Sequence, residues 1–291
     1  MSNLSNKGER LVTDGFDRFS IEHLHRYALA AELCREKTVL DIASGEGYGS
    51  NLLAKMGSRV TGVDISELAV EHAQNKYRSR NLDFLTGSAG SIPLADKSVD
   101  RVVSFETLEH HSQHEEMFRE IKRVLKPDGI LIISTPDKLN YTDVPKTINE
   151  FHVKELYADE FRHLASDHFR NVTLLFQRIG YYDIICPERL PSTALTEYSG
   201  DFHQVGGVKL LQTPIYNICL ASDSELPDVG CSIFSGDRVT VDSDLKARQQ
   251  LEAATSALVT AQNLLRDTQR SLSFRIGRTL TRPLRLLLGR D

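Results

Sequence analysis

The chain has 291 residues, of which 40% are hydrophobic, 26% charged and 7% aromatic. This suits a globular protein of one large domain plus an appendage, or two modest domains, and excludes a disordered or fibrous chain. Thirty-five basic against 40 acidic residues leave a net charge of −5, which argues against a broad nucleic-acid-binding surface. The four cysteines, Cys34, Cys186, Cys219 and Cys231, have no CxxC spacing for zinc or redox work and read as incidental thiols. The polar N-terminus lacks the apolar stretch of a secretory signal. No run of about 18 apolar residues exists, so a cytoplasmic protein is expected.

In chain order, residues 1–36 read as an N-terminal helical cap. Short β-branched runs follow at 38–43, 59–65, 82–87, 99–105 and 129–135. Apolar runs of this length bounded by turn signals predict strands buried on both faces. Helices are expected between them at 49–56, 67–79 and 113–125, the second capped by Ser66 with Glu67 in its first turn. Pro127-Asp128-Gly129 reads as a stop signal. Alternation of this kind predicts an α/β fold, a parallel doubly wound Rossmann-like sheet over residues 37–222. Beyond it the pattern predicts a loop at 136–150, a helix at 153–166, strands at 171–178 and 215–222, and a surface insertion at 180–212.

Residues 223–243 read as a linker. Within 244–272, Leu251, Leu258, Leu265 and Leu272 recur every seven residues, with Ala254 and Ala261 three after the first two. This a/d stripe predicts a C-terminal α-helical coiled coil that pairs with a second copy or with a glycosyltransferase partner. A single amphipathic helix lying on its own domain is the rival reading. The tail at 273–291 is basic and amphipathic. Ser271 to Asp291 hold five arginines and one aspartate, a net +4, so the rest of the chain carries −9. Peripheral contact with the inner face of an anionic membrane is expected of it.

The first strand runs into the glycine-rich turn Asp41-Ile-Ala-Ser-Gly-Glu-Gly-Tyr-Gly49, where open α/β sheets bind nucleotides. From Gly45 the third glycine falls one place early for a dinucleotide fingerprint, and Asp41 with Glu46 would oppose a pyrophosphate. A ligand without phosphate that carries a sulfonium and an ammonium suits these acids. Asp64 closes the second strand, nineteen residues after Gly45, where a carboxylate can accept from both ribose hydroxyls.

Taken together, VLDIASGEGYGS, VTGVDIS, SVDRVVSFETLEHH and RVLKPDGILIISTP resemble, in order, the motifs of class I S-adenosylmethionine-dependent methyltransferases. The resemblance implies that Asp41 lies near the methionine amino group, with Ala43, Ser44, Gly45 and Gly47 lining the same end. It places Asp64 and Ile65 at the ribose, Ser88 and Ala89 at the adenine, and Phe105 in the same cofactor-binding set. Gly87-Ser88-Ala89 stands where the family often has Gly-Asp-Ala, so a hydroxyl replaces the carboxylate at the adenine. GER near the start, EHLHRYALA, and STPDKLNYTD with NEFHVKELYADEF are similar to methyltransferases of bacterial surface-polysaccharide synthesis, of the O-antigen type. In those proteins an N-terminal segment folds over the cofactor, so Arg26 becomes a partner for the methionine carboxylate.

The fourth strand ends in Phe105-Glu106-Thr107-Leu108-Glu109-His110-His111, so Glu106, Glu109 and His110 converge from one turn. With the distant His152 they make a four-ligand set for a divalent cation, Mg, Mn, Fe or Zn, similar to that of small-RNA 2′-O-methyltransferases. Without a metal, Glu106 with His110 or His111 would serve the chemistry, a histidine as general base. Otherwise Glu109 and His110 only cap the next helix. His114, His163 and His168 are expected to be solvated. The function expected is O-methylation of a saccharide or glycan intermediate, with S-adenosylmethionine as methyl donor and no nucleic-acid partner. The alternatives are a small-molecule quinone- or phenol-type O-methyltransferase, a cofactor-binding scaffold acting through its coiled coil, or a dinucleotide reductase.

Overall fold

A computed structural model describes residues 11, 13, 17–180, 182–189, 195–200, 205–270 and 276–277. It divides into two units, Met1–Asp237 and Arg238–Asp291.

The first unit opens with α1 (Arg18–Leu33), started by a capping box in which Asp17 accepts from the Ser20 amide. An alternating series follows: β1 (Thr38–Ile42), α2 (Tyr48–Leu53), β2 (Arg59–Asp64), α3 (Glu67–Lys76), β3 (Leu82–Thr86), β4 (Val99–Phe105), α4 (His114–Val124) and β5 (Leu125–Pro136). Ser66 caps α3 through the Ala69 amide, as its sequence position predicts. Leu125 is already extended, so α4 stops before Pro127, and residues 125–129 join β5 through an irregular pairing with β4. Next come α5 (Ala158–His168), β6 (Asn171–Ile179), β7 (Tyr182–Pro187), β8 (Thr196–Gly200), β9 (Val205–Lys209), β10 (Tyr216–Ser222) and β11 (Ser232–Ser235).

Among the described residues nine strands form one sheet in the order β11-β7-β6-β10-β5-β4-β1-β2-β3, and β8 pairs with β9 separately. The β3-β2-β1-β4-β5 half is parallel, as expected. The other half is antiparallel, so the sheet is mixed and not parallel throughout. β10 lies between β5 and β6 and is fully buried. Two apolar clusters cover the two faces. Met117, Phe118, Ile121 and Val124 of α4 pack on one with Phe161 and Leu164 of α5. Tyr27, Leu29 and Ala30 of α1 pack on the other with Val70 and Ala73 of α3.

Three boundaries differ from the sequence reading. The 180–212 stretch contains β7 and the β8–β9 hairpin, not a featureless insertion. The 223–243 linker contains β11, whose four residues complete the sheet edge on β7. The last helix, α6 (Asp237–Arg270), begins seven residues before the expected coiled coil. On α6, Leu251, Leu258 and Leu265 are exposed; the structure shows the helix and its stripe, not a coiled-coil pairing. Most of the basic tail at 273–291, and Leu272, lie outside the described residues. Among the described residues, no helix is long and apolar enough to cross a membrane.

Candidate active site

The candidate residues gather at the carboxyl ends of β1, β2, β4 and β5, where the strand order reverses between β1 and β4 and open α/β sheets leave a crevice. The loop after β1 turns through positive φ at Ala43 (62°), Gly45 (56°) and Gly47 (92°), a course glycine adopts without strain. The Gly45 amide donates to Asp64 Oδ2 at 2.8 Å and the Ser66 amide to Oδ1 at 2.9 Å. Asp64 thus joins the ends of β1 and β2 and closes the loop as well as lining it. Ile65 is exposed beside it, Ala43 is exposed, and Ser44 is buried with its hydroxyl unpartnered. Ser88 and Ala89 are half-buried in a turn closed by Ser88 and Ser91.

Asp41 is almost completely buried. It accepts from Ser50 Oγ at 2.6 Å and from the Tyr27 hydroxyl at 3.3 Å. Burial pushes its carboxyl up to about 7, with Ser50 and Tyr27 opposing the rise. Tyr27 was not among the expected site residues, yet it ties α1 to the end of β1. Glu46 does not face the crevice as a second free acid. Burial would raise its carboxyl, but hydrogen bonds from Lys76, Tyr77 and Thr13 hold it below the usual range. With its charge matched by Lys76, Glu46 no longer argues against a phosphate ligand, and Asp41 carries that argument alone.

At the end of β4, Phe105 is buried and Glu106 takes a positive φ of 52°. Glu106 Oε1 accepts from Ser134 Oγ at 2.6 Å and lies 3.7 Å from Arg26 Nη1. It therefore stands apart from the expected four-ligand set. The other three do converge: donor atoms of Glu109, His110 and His152 all lie within 4.8 Å of one another. Glu109 is buried and accepts from Thr135 Oγ1 at 3.1 Å, while its backbone oxygen accepts from the Val153 and Lys154 amides. That pairing carries the 152–154 segment to the end of β4. Burial, reinforced by the Glu106 charge, pushes the Glu109 carboxyl well above its ordinary value.

His110 Nδ1 lies 3.0 Å from the Phe151 carbonyl oxygen, to which it donates. His152 Nδ1 is bonded to Glu155, its Nε2 lies 3.0 Å from Asn149 Nδ2, so an ion there would displace Asn149, and its ring stacks on Tyr141. A carboxylate behind an imidazole in this way is the usual support of a metal-binding histidine. A buried acid under electrostatic pressure, with two imidazoles of fixed orientation, is a donor set that fits a divalent ion of the Mn, Fe or Zn type better than Mg.

His111 does not join this cluster. Its Nδ1 accepts from the Gln113 amide at 3.2 Å, and its Nε2 is buried without a partner. Burial and the neighbouring His114 and His110 lower its basicity, so it is not placed to take a proton from a substrate. His114 is buried, with Nε2 near the Leu108 and His111 carbonyls, and is structural, not solvated. Arg26 is completely buried, donates to Gln177 at 2.8 Å and lies over the Tyr216 ring at 4.6 Å. Its Nε and Nη2 have no partner, which leaves two donors for an anionic group. Sequence reasoning missed Ser134, Thr135, Tyr141, Gln177 and Tyr216. Only Ser134 and Thr135 leave a trace, as polar residues ending the apolar run of β5.

Residues 40–133 match the family model described as a methyltransferase domain. A probable S-adenosylmethionine-dependent methyltransferase of Mycobacterium tuberculosis is 36% identical over 165 residues, covering 55% of this chain and 59% of that protein. A fatty-acid O-methyltransferase of Mycolicibacterium smegmatis is 27% identical over 136 residues, covering 46% and 48%. The chain thus spans about three-fifths of the length of the first of these relatives. The fold is that of a solved S-adenosylmethionine-dependent methyltransferase from Thermotoga maritima, with TM-score 0.50 and 19% identity over 70% of this chain and 90% of that one. The glycine loop, Asp64 and the β4 turn all lie within residues 40–133, the segment that matches the methyltransferase domain.

Proposed function

We propose that the chain is an S-adenosylmethionine-dependent O-methyltransferase whose acceptor hydroxyl is activated at Glu109, His110 and His152. The convergence of these three donors at the end of β4 carries the reading. S-adenosylmethionine supplies a methyl group on a sulfonium, already a good electrophile, so the catalytic demand falls on the weakly nucleophilic hydroxyl. A divalent ion at the cluster supplies Lewis-acid polarisation of that hydroxyl. Glu155 and the Phe151 carbonyl hold the two imidazoles in place, so the acceptor is oriented without reorganisation. Glu106, with Ser134 and Arg26 behind it, offers a carboxylate to a neighbouring hydroxyl. Without a metal, His110 Nε2 is the group to receive the proton.

The acceptor class proposed is a saccharide or glycan intermediate of surface-polysaccharide synthesis, whose adjacent hydroxyls match a carboxylate- and imidazole-lined edge. A specific observation favours a lipid-bearing form of it. Leu139, Val144, Ile148, Phe151 and Val153 are exposed in the segment that frames the cluster, and an apolar rim suits an acyl or polyprenyl chain. Relatives named as fatty-acid and phthiotriol/phenolphthiotriol dimycocerosates methyltransferases point the same way. For residues 273–291 we propose a contact with an anionic membrane surface.

The experiment is a methyl-transfer assay with labelled S-adenosylmethionine across nucleotide sugars, lipid-linked glycans, fatty acids and phenols, read by product mass spectrometry. Label on a glycan oxygen supports the proposal; label only on fatty acid or phenol replaces the acceptor class. Tight NADH binding with no S-adenosylmethionine binding would overturn the cofactor reading itself.

A further inference from the structure

The sheet edge formed by β7 and β11 holds a pair of cysteines that methyl transfer does not use. These strands run antiparallel with Ser232 opposite Ile185 and Ile233 opposite Ile184. Continued by one residue, that register sets Cys231 directly across from Cys186. Directly opposed residues of an antiparallel pair have Cα atoms about 4.5–5.5 Å apart, inside the roughly 4.4–6.8 Å that a disulfide spans. The Cys186 thiol is near enough to Cys231 to be influenced by it. Cys231 is exposed and Cys186 is buried, which gives one entry point and one sheltered partner.

What β11 touches makes the pair consequential. Ser232 Oγ lies 2.9 Å from His25 Nε2, and His25 Nδ1 lies 2.8 Å from Asp183 Oδ2 on β7. The Phe234 ring also rests against His25, with centroids 5.8 Å apart. His25 belongs to α1, and the two residues after it are Arg26, beside Glu106, and Tyr27, bonded to Asp41. A four-residue edge strand thus holds down the helix that reaches the crevice.

We propose that Cys186 and Cys231 form a reversible redox pair, closing to a cross-strand disulfide that fastens β11, and through Ser232 and His25 the α1 cap, to the sheet edge. The oxidant is a low-molecular-weight disulfide. Cys231, its proton lost to solvent, attacks one sulfur of the reagent, whose S–S bond breaks and releases one thiolate. Cys186 then loses its proton to solvent and attacks Cys231 Sγ, releasing the second thiolate. Two protein thiols are oxidised and one reagent disulfide is reduced to two thiols. Burial and the Cys231 contact push the Cys186 thiol up, which makes closure the slower step. Cys34 and Cys219, both buried with thiols pushed up to about 12, stay reduced.

The test treats the full chain with oxidised glutathione, alkylates it under denaturing conditions and maps the peptides. The expected result is joint loss of alkylation at Cys186 and Cys231, a linked peptide pair, and full reversal by dithiothreitol. Cys231→Ser leaves Cys186 alkylatable, and Cys186→Ala leaves a glutathione adduct on Cys231. Hydrogen exchange of the oxidised wild type slows on the order of tenfold at residues 232–235 and 18–33, with no such change in Cys231→Ser. A Cys186 that still alkylates while Cys231 carries glutathione would overturn the pairing. A disulfide that leaves exchange in α1 unchanged would overturn the fastening.

Discussion

The Tyr27 hydroxyl reaches from α1 to within 3.3 Å of the Asp41 carboxylate, through space that exists because residue 49 is glycine. A Cβ at Gly49 would lie 2.0 Å from Tyr27 Cζ. Gly49→Ala is therefore expected to destabilise the fold by about 1–3 kcal/mol through overpacking and to weaken S-adenosylmethionine binding. Combining it with Tyr27→Ala relieves the clash, and the double variant regains part of the stability in urea denaturation. Equal stability of both variants would show that Tyr27 does not occupy that space in solution.

Asp41 makes stability depend on pH. Its folded value of about 7 lies above the ordinary 3.8, so the folded state holds a proton that the unfolded chain has released. As pH rises from about 4 to about 7, stability from this group is progressively lost. Asp41→Asn removes that loss, with an upper limit of roughly 4 kcal/mol. The variant is expected to exceed the wild type in stability at pH 8, with the gap closing toward pH 4. A wild type as stable as the variant at pH 8 contradicts this.

Much of the parallel half was legible from residues 38–135, because strands buried on both faces write continuous apolar runs and their helices carry ordinary start and stop signals. Asp64 and the glycine loop were legible for the same reason, since a turn at a strand end is local. The antiparallel half was legible in part, since the strands expected at 171–178 and 215–222 are β6 and β10. β7 and β11, the two outermost strands on that side, are short and carry little apolar signal beside Gly180 and Pro187. Contacts such as Arg26 with Gln177, 151 positions apart, leave no spacing to read. Glu106 was assigned to the cation set because i, i+3 and i+4 spacing presumes a helix. The segment instead leaves β4 through a positive φ at Glu106, and only Leu108–His110 form a 3₁₀ turn.

Glu109→Gln and His152→Ala are each expected to lower methyl transfer by about 100-fold or more, while S-adenosylmethionine affinity by calorimetry stays within about threefold. Elemental analysis of purified protein is expected to find less divalent metal in both variants. Full turnover in a strong chelator, with activity lost in His110→Ala, would transfer the role to His110 as base.

Arg26 Nε and Nη2 are buried without a partner. If they receive the methionine carboxylate, Arg26→Gln raises the Kd for S-adenosylmethionine on the order of tenfold. An unchanged Kd with reduced turnover would reassign Arg26 to the acceptor or to Glu106.

The exposed Leu251, Leu258 and Leu265 stripe of α6 is expected to pair with a second copy of the chain. Leu258→Asp, placing a charge in that seam, is expected to shift the protein from dimer to monomer in sedimentation equilibrium. A wild type that sediments as a monomer at micromolar concentration removes self-pairing.

α6 has a further meaning as a length. Its 34 residues contain no proline or glycine, and at 1.5 Å per residue they extend about 51 Å. A flexible linker of equal residue count would let its far end wander; a helix of this kind is a spacer with a set reach. Asp237 and Arg270 are therefore held one rod's length apart, so inserting or deleting helical turns in α6 alters distance and rotational phase together.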